Sequence, residues 1–501
     1  MTDDTATDDV LGERSLAVLG RLADLRRQDA PTHGGRVLSY VYDSGLAELD
    51  ALAREAAAAV QSLNALDPTT FPSVAAMERD VVRFARSMLH GDEGVVGSVS
   101  SGGTESCLLA VKTARDLRRA VEPAGFPPRP LTIVAPATVH AAFEKAAHYL
   151  GLELVRVPVG TDGTCTADAL AAALDDRTAL VVVSAPSYPF AAMDPVADAA
   201  RIAAERGIPV HVDACIGGWV LPWWGDDVPA WDFRVPGVTS ISADAHKYGY
   251  APKGASVLLH RGEDRHAAQF FATTDWPGYP VVNPTMLGSR SAGPLAAAWA
   301  LTERLGTDGY AALTARCREA TESLSATISD IEGLRVVGRP TGPLLAVASD
   351  DDLPPDRRVD PHHWADEARA LGWVLQPQPA YRQRDGSLLP STTHLTVTPV
   401  TATVLPELTL ALVSAADRAR GVPRASADAV LGALPSEVLF RPDERPAIDA
   451  ATAAGLLDAL GLGGETPLPD RLAPVMALID AVPAPLAERL LIALFARLAA
   501  P

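Results

Sequence analysis

Basic residues and cysteines are scarce in this chain of 501 residues. Lys and Arg number 43 against 62 Asp and Glu, a formal charge of −19, whereas proteins that bind nucleic-acid backbones present basic faces. We therefore expect no nucleic-acid partner. The cysteines are far apart and form no Cys-x-x-Cys pair, so their spacing predicts neither a metal site nor a disulfide framework. They are Cys107, Cys165, Cys215 and Cys317.

Long apolar runs and targeting signals are also missing. No run approaches the ~20 residues that span a bilayer, and the acidic N-terminus, MTDDTATDDV, lacks the regions of a secretion signal. We expect a cytoplasmic protein without a transmembrane segment. The first dozen residues, with little apolar content, are predicted to be disordered. The hydrophobic share of 48% and the mean hydropathy of +0.10 otherwise indicate a globular chain with a large core.

Residues 91–259 alternate short apolar runs with helical segments. Such alternation implies a mainly parallel sheet covered by helices on both faces, with binding sites at the carboxyl ends of the strands. The predicted strands are 131–135, 152–157, 179–184, 209–213, 240–243 and 256–260. The predicted helices are 104–120, 140–150, 167–174 and 196–206.

The pattern divides the chain into four units. Residues 1–90 form an N-terminal segment with helices predicted at 16–28 and 46–63, and residues 91–320 form the large sheet domain. A long helical stretch from 294 to about 331 leads into a smaller α+β domain, 321–420. Residues 421–501 are rich in Ala, Leu and Pro, with helices predicted at 448–460 and 486–498. No chemistry is visible in this helical extension.

The segment Ser-Ala-Asp-Ala-His-Lys-Tyr-Gly-Tyr-Ala-Pro-Lys-Gly, residues 242–254, places Lys247 after a predicted strand. A lysine preceded by a histidine and followed by Gly and Pro suits an amine that reaches into a cleft to form a Schiff base. A solvated loop lysine is the common alternative. The other segments below favour the first interpretation.

Asp213 ends the β-branched run Pro-Val-His-Val-Asp, upstream of Lys247. Pyridoxal phosphate is an electron sink only while its ring nitrogen is protonated, and a carboxylate within hydrogen-bond distance raises the pKa of that nitrogen. The stretch between Asp213 and Lys247 leaves room for one crossover and one strand, so the side chains of these two residues can reach the same edge of the sheet. The alternative is an aspartate that forms a turn before Gly217 and Gly218.

Two further segments precede helices. In Ser-Ser-Gly-Gly-Thr-Glu-Ser, residues 100–106, the glycines allow backbone amides, with Thr104 and Ser106, to cradle a phosphate; an ordinary helix cap is the alternative. His140 lies at a strand-to-helix junction, where its flat ring can stack on a bound pyridine ring or cap the helix. The four segments follow one another in the order phosphate cradle, stacking ring, acid and lysine. Together they indicate a cofactor site far more specifically than any one of them does.

These segments resemble the sphingosine-1-phosphate lyase branch of the fold-type I pyridoxal-phosphate enzymes, which also contains the group II amino-acid decarboxylases. The likeness runs from about residue 35 to 300. It is densest at 71–73, 101–116, 184–189, 231–254 and 283–290. The resemblance implies an aspartate-aminotransferase-like α/β fold with a large, mainly parallel seven-stranded sheet domain, a smaller α+β domain and, here, an extra helical tail.

The resemblance implies a role for each matching residue. Lys247 carries pyridoxal 5'-phosphate as a Schiff base, Asp213 pairs with the pyridinium nitrogen, and His140 stacks on the ring. Tyr188 and Lys253 lie near the scissile bond and the substrate phosphate. The remaining cofactor contacts come from Gly102, Gly103, Thr104, Ser242 and His246.

The resemblance also implies a homodimer with the active site at its interface. Tyr42 and Arg290, the latter in Gly-Ser-Arg at 288–290, are expected to bind substrate across that interface. Three departures bear on the substrate: residues 38–40 read Leu-Ser-Tyr instead of Ser-Gly-Ala, and Asp67 and Phe190 each stand where the family has a histidine. An acidic residue facing the phosphate pocket would repel an anionic substrate.

We predict a pyridoxal-phosphate lyase that cleaves a phosphorylated 2-amino alcohol by retro-aldol chemistry into an aldehyde and a small amine. Lys247 or Tyr188 would carry the protons. An α-decarboxylase acting on an amino acid would use the same residues, with carbon dioxide as the leaving group. A non-catalytic scaffold with the same fold is the third alternative; the helical tail and the altered substrate-side residues favour it, and the retained Lys247 opposes it.

Overall fold

A computed structural model describes residues 4–121, 129–427, 450–459 and 469–499. Three helices precede the sheet: α1 (Asp4–Leu25), α2 (Ala47–Ala59) and α3 (Pro72–Met88). The predicted disorder of the first dozen residues is wrong from Asp4 onward, because α1 begins there.

A seven-stranded sheet forms the centre of the large domain, in the order β1-β7-β6-β5-β4-β2-β3. Within the described residues, β7 alone runs antiparallel to its neighbours in this sheet. The predicted mainly parallel sheet is therefore confirmed, and β1 is a strand that the sequence pattern did not reveal. The strands are β1 (Val95–Ser100), β2 (Thr132–Pro136), β3 (Glu153–Val157), β4 (Thr178–Ser184), β5 (Val210–Asp213), β6 (Val238–Ala243) and β7 (Ser256–Arg261).

Helices pack on this sheet because its central strands are apolar on both sides. Strand β4 reads Thr-Ala-Leu-Val-Val-Val-Ser and is buried along its whole length. The connecting helices are α4 (Gly103–Ala120), α5 (Ala141–Leu150), α6 (Ala167–Ala173), α7 (Val196–Ala204) and the short α8 (Glu263–Ala267). The strand directions bring the carboxyl ends of β1, β2, β4, β5 and β6 to one edge.

A smaller lobe follows the long helix α9 (Gly293–Ser329), which bends at Gly306, where the backbone leaves helical geometry (φ 54°, ψ −168°). Its antiparallel sheet has the order β10-β11-β15-β12 and packs with α10 (Pro361–Ala370) and α11 (Thr401–Ala419). The strands are β10 (Leu334–Val336), β11 (Leu344–Ser349), β12 (Gln376–Gln378) and β15 (Thr392–Thr396). Two further hairpins are β8 (Phe271–Thr273) with β9 (Val281–Asn283), and β13 (Tyr381–Arg382) with β14 (Leu388–Leu389).

The C-terminal extension contains α12 (Ala450–Ala459), α13 (Ala473–Ala481) and α14 (Ala484–Leu498). These helices share their own apolar cluster, which includes Leu457, Leu478, Leu486, Leu490 and Leu494. The helix predicted at 486–498 is confirmed, and α12 lies within the one predicted at 448–460, whose ends at 448, 449 and 460 fall outside the described residues. A bilayer-spanning helix is not found in the described part of the chain.

Candidate active site

A cavity of about 710 Å³ lies between the carboxyl edge of the large sheet and the small lobe. Its lining includes Lys247 and His246 after β6, Asp213 at the end of β5, and His140 after β2. Further predicted residues on the same lining are Tyr42, Gly103, Thr104 and Tyr188. The four segments singled out in the sequence therefore meet in one place.

Lys247 is paired with a carboxylate that the sequence analysis did not single out. Its Nζ lies 3.0 Å from Oδ2 of Asp244, whose side chain is 1% exposed, and the Lys247 side chain is itself 19% exposed. Burial alone would lower the pKa of Lys247, but the charge of Asp244 and smaller contributions from neighbours such as Tyr42 together outweigh burial and hold that pKa well above its ordinary value. Burial opposes ionisation of Asp244 too, yet the charges of Lys247 and His246, together with hydrogen bonds that include one from Ser256, lower the pKa of that carboxyl. Lys247 is thus a cavity residue rather than a solvated loop lysine.

Asp213 is buried, and one of its carboxylate oxygens accepts the N–H of Cys215 at 3.1 Å. It forms the local turn of the alternative interpretation and still lines the cavity. The sulfur atoms of Cys107 and Cys215 and a carboxylate oxygen of Asp213 lie within 4.8 Å of one another. Both cysteines are free and line the cavity. Their spacing in the sequence gave no sign of this cluster.

The phosphate cradle lies where α4 begins, because the first N–H groups of a helix have no intrahelical partners. A Cβ added at Gly103 would come within 2.5 Å of the Asp244 carboxylate, so glycine is required there. Thr104 is exposed to the cavity. The predicted role of Ser106 is wrong, since its buried hydroxyl bonds at 2.7 and 2.8 Å to two serines behind the cradle, Ser100 and Ser256.

Two other predicted cofactor residues stand behind the lining. The backbone of Gly102 has φ +155°, and the position of its missing Cβ lies 3.6 Å from the His246 ring. Ser242 is fully buried, and its hydroxyl lies 3.1 Å from the ring of His211 and 3.3 Å from the thiol of Cys215. These residues contact residues of the lining and do not themselves belong to it.

His140 fits both interpretations of its position. Its Nδ1 accepts the N–H of Ala142 at 3.1 Å and so caps α5, while the residue lines the cavity. Burial lowers the pKa of His140, so its ring is neutral near pH 7. An accepting Nδ1 leaves the proton on Nε2. A flat, uncharged ring fixed in this way is suited to lie against a heteroaromatic ring.

A second lysine borders the cavity. Nζ of Lys253 donates a hydrogen bond to the carbonyl oxygen of His246 at 3.1 Å and lies 4.5 Å from the ring centre of Tyr42. Partial burial, together with the charge of Lys247, lowers the pKa of Lys253 to about 8. Tyr42 lines the cavity of its own chain, whereas the resemblance led us to expect it across a subunit interface.

Tyr188 is held by a histidine of the small lobe that sequence reasoning missed. The rings of Tyr188 and His394 stack with their centres 4.2 Å apart. His394 is fully buried, which lowers its pKa to about 3, and its Nε2 lies 3.1 Å from the hydroxyl of Thr396. Burial raises the pKa of Tyr188, so its hydroxyl keeps its proton. No sequence signal connects these two residues of different lobes.

Arg290 and Asp67 lie on a second cavity, of about 1080 Å³, and not on the first. Arg290 donates to the carbonyl oxygen of Val99 at 2.7 Å and pairs with Glu78 at 3.6 Å. Two threonine hydroxyls lower the pKa of Asp67 to about 2. Because Asp67 lines the second cavity, its negative charge does not face the cavity that contains Lys247. Phe190, in contrast, lines the cavity that contains Lys247.

Comparisons with known proteins agree with this geometry. Residues 39–346 match a family described as "Pyridoxal-dependent decarboxylase conserved domain". The chain belongs to the pyridoxal-dependent decarboxylase family. Residues 402–497 match a second family, described as "Pyridoxal-dependent enzyme, C-terminal putative HTH domain".

Within the decarboxylase family the chain falls in the sphingosine-1-phosphate lyase branch, which confirms the resemblance seen in its sequence. It is 37% identical over 367 residues to sphingosine-1-phosphate lyase 1 of Mus musculus, covering 72% of this chain and 62% of the mouse protein. Identity to the Oryza sativa lyase is 38% over 333 residues, covering 65% of this chain and 60% of the rice protein. The chain thus spans less than two thirds of the length of these curated relatives.

Solved structures support the same fold. A sphingosine-1-phosphate lyase from Burkholderia pseudomallei is 35% identical, with a TM-score of 0.71 over 83% of this chain and 91% of that one. Glutamate decarboxylase from Lactobacillus brevis is 20% identical, with a TM-score of 0.70 over 80% of this chain and 92% of that one, and shows the fold alone. The predicted fold-type I architecture is confirmed.

Pyridoxal 5'-phosphate is the cofactor of the decarboxylase family, and the cavity fits it. The lining offers an amine on Lys247, a buried carboxylate on Asp213 and a neutral ring on His140. The glycine start of α4 leaves the space that an anion needs beside a helix N-terminus. These are the donor and acceptor types that an aldehyde, a pyridine nitrogen, an aromatic face and a phosphate require.

Proposed function

We propose that this protein is a pyridoxal-phosphate-dependent carbon–carbon lyase that cleaves a phosphorylated 2-amino alcohol into an aldehyde and a small amine. The observation that carries the proposal is the convergence of Lys247, Asp213, His140 and the α4 cradle on one cavity. Similarity to sphingosine-1-phosphate lyases over most of the chain supports lyase chemistry. A scaffold would not need a lysine in the cavity paired with a buried carboxylate.

Different residues of the cavity are suited to hold different parts of the cofactor. Gly103, Thr104 and His246 are suited to hold its phosphate, Asp213 to keep its ring nitrogen protonated, and His140 to cover one ring face. Gly102 and Ser242 support this set from behind. When bound through Lys247, pyridoxal phosphate supplies an electron sink for the pair released from the broken carbon–carbon bond.

Proton transfer falls to Lys247 and Tyr188. Cleavage requires a base to take the proton of the substrate hydroxyl, after which the carbon–carbon bond breaks, the aldehyde leaves and the amine carbon is reprotonated. With its amine free of the cofactor, Lys247 would accept that hydroxyl proton, and Asp244, whose Oδ2 lies 3.0 Å from Nζ, would stabilise the resulting ammonium group. Tyr188 retains its hydroxyl proton because burial raises its pKa, so it is suited to return a proton to the amine carbon after the aldehyde has left.

The assay that tests this function offers two substrate classes to the protein loaded with cofactor. We expect an aldehyde and a phosphorylated small amine from long-chain phosphorylated 2-amino alcohols, and no carbon dioxide from amino acids. Release of carbon dioxide without aldehyde would instead establish the α-decarboxylase alternative. No turnover of either class, with no visible absorbance from bound cofactor, would favour the scaffold.

We further propose that the chain acts as a homodimer. Large apolar side chains are exposed around the β8–β9 hairpin, next to the second cavity, where burial by a partner would be favourable. They are Phe271, Trp276, Tyr279, Val282, Met286 and Leu287. The role of Arg290 toward a partner's substrate stays a prediction. Sedimentation of the purified protein at twice the chain mass is the expected result.

Lys253 is expected to make substrate affinity pH-dependent. Its pKa of about 8 means that it is cationic below that pH and neutral above it. If it faces the substrate phosphate, KM should rise roughly tenfold as pH increases through 8, because a charge-assisted hydrogen bond is lost. Lys253→Arg, which stays charged, should flatten the rise, and Lys253→Met should show the high KM at all pH values.

The matched control for this series is Lys145→Met, because Lys145 lies on α5 outside the cavity lining. It should keep the wild-type pH profile. A wild-type profile in Lys253→Met would contradict the phosphate role of Lys253 without affecting the assignment of Lys247.

A further inference from the structure

One wall of the cavity comes from the small lobe and carries no charged side chain among its described lining residues. It consists of residues at the base of the β13–β14 hairpin and in the two chain segments that flank this hairpin. They are Gln376, Pro377, Gln378, Pro379, Tyr381, Leu389, Pro390 and Thr392. The residues suited to hold the cofactor all come from the large domain. The wall is therefore placed to contact the part of a substrate that does not react.

The C-terminal helices hold this wall from outside. The N–H of Ala380, between two lining residues, donates to the carboxylate of Asp480 on α13 at 3.0 Å. The wall has a second support from α10, where the His362 ring lies 2.9 Å from the carbonyl oxygen of Gln378. The link between α13 and the cavity wall is thus direct.

Helix α13 is in turn anchored to the small lobe. Both carboxylate oxygens of Asp366, a residue 3% exposed on α10, accept backbone N–H groups at the start of α13, from Leu472 at 2.7 Å and Ala473 at 3.0 Å. Arg471 adds a hydrogen bond to Glu367 at 2.8 Å. Ionised carboxylates at a helix N-terminus form strong hydrogen bonds, so α13 has a fixed position from which to hold the wall.

The net charge of the C-terminal region favours a contact with the rest of the protein over a contact with nucleic acid. Residues 402–497, the range that matches the helix-turn-helix description, contain 8 arginines, no lysine and 12 acidic residues, a net charge of −4. A nucleic-acid contact would need a basic face. The hydrogen bonds described above for α13 and its first residues are with the lobe that forms the cavity wall.

We propose that the C-terminal helices are a specificity element: through Asp480 they fix the wall formed by residues 376–392, and thereby the fit of the unreactive part of the substrate. The substrate named for this role rests on the proposed lyase function. The contact between Asp480 and Ala380 does not depend on that function. Asp480 is a positioning residue, since it acts through the backbone of Ala380.

The test compares Asp480→Ala with Glu488→Ala, which removes the same charge from an exposed position on α14. Hydrogen–deuterium exchange of peptides covering 376–392 should become several-fold faster in Asp480→Ala and stay at the wild-type rate in Glu488→Ala. Asp480→Asn, whose amide oxygen can still accept from Ala380, should retain most of the protection. Equal exchange in all variants would overturn the proposal.

Kinetics then test specificity. Loss of one such hydrogen bond should raise KM for a long-chain phosphorylated amino alcohol about fivefold in Asp480→Ala, with kcat and the absorbance of lysine-bound cofactor unchanged. KM for an analogue without the chain should not move. Equal effects on both substrates would refute the specificity role. If wild type cleaves neither substrate, the proposed function fails, while the exchange experiment still decides whether α13 holds the wall.

Discussion

Replacing Lys247 with alanine is expected to abolish turnover, with a loss of at least about a thousandfold. Lys247 is the only Lys or Arg on the described lining of the cavity, so no other amine of the lining can bind the aldehyde. The visible absorbance of lysine-bound cofactor should disappear together with activity. Absorbance spectra and single-turnover assays on the same preparation measure both effects.

Replacing Lys247 is also expected to lower the free energy of unfolding, and this effect must be measured separately from the loss of turnover. Asp244 would remain as a buried carboxylate with His246, 3.5 Å away, but without its lysine partner, and breaking a buried ion pair destabilises a protein by about 3 kcal/mol. Adding Asp244→Asn to Lys247→Ala should therefore recover much of the free energy of unfolding while leaving the protein inactive. A stable Lys247→Ala variant with wild-type turnover would contradict the assignment of this lysine.

Replacing Asp213 should keep the fold and remove most of the turnover. Asp213→Ala loses one hydrogen bond, to the N–H of Cys215, a change of about 1 kcal/mol in unfolding free energy. It also loses the negative charge that keeps the ring nitrogen protonated, and we expect turnover to fall roughly a hundredfold or more. Thermal unfolding and steady-state kinetics measure the two effects separately.

The control for Asp213 is Asp213→Asn, because an asparagine can retain the bond to Cys215 without the charge. If charge is decisive, Asn and Ala variants should be similarly slow, although both should still bind the cofactor to Lys247. Turnover near the wild-type rate in Asp213→Asn would show that the carboxylate has only the local role of forming a turn.

The placement of the main site residues could be predicted because each of them follows a strand of the same parallel sheet. Asp213 and Lys247 each follow a strand with a clear apolar pattern, and parallel strands bring their carboxyl ends to one edge. His140 and the start of α4 follow the same logic. Where two interpretations were open, the structure shows the local role of each residue, since His140 caps a helix and Asp213 forms a turn. Both also line the cavity, which is compatible with the cofactor roles that stay predictions.

The parts that could not be predicted depend on contacts between distant segments. Tyr188 and His394 come from different lobes, and α13 lies about a hundred residues beyond the wall at 376–392 that it contacts. Nothing in local periodicity reports either pairing. Cys107 and Cys215 meet for the same reason. Asp244 is different, because a carboxylate three residues before the lysine is visible in the sequence, but only the folded loop shows that the pair forms.

Secondary structure was missed where its signal was weak. Strand β1 reads Val-Val-Gly-Ser-Val-Ser, and its small polar residues hide the apolar pattern. A Cβ at Gly97 would lie 2.2 Å from the carbonyl oxygen of Leu258, so close packing against β7 requires this glycine. The division into units at 90, 320 and 420 stays a prediction, although the second family match begins within α11, at residue 402.

The most direct test of the account is borohydride reduction of the protein loaded with pyridoxal phosphate, followed by peptide mapping. Reduction makes the bond between the aldehyde and its lysine permanent, and trypsin does not cleave after the modified lysine. We expect a single labelled peptide, residues 235–253, with the added mass on Lys247 and none on Lys253. Label on Lys253 alone, or no label in a protein that retains activity, would contradict the account.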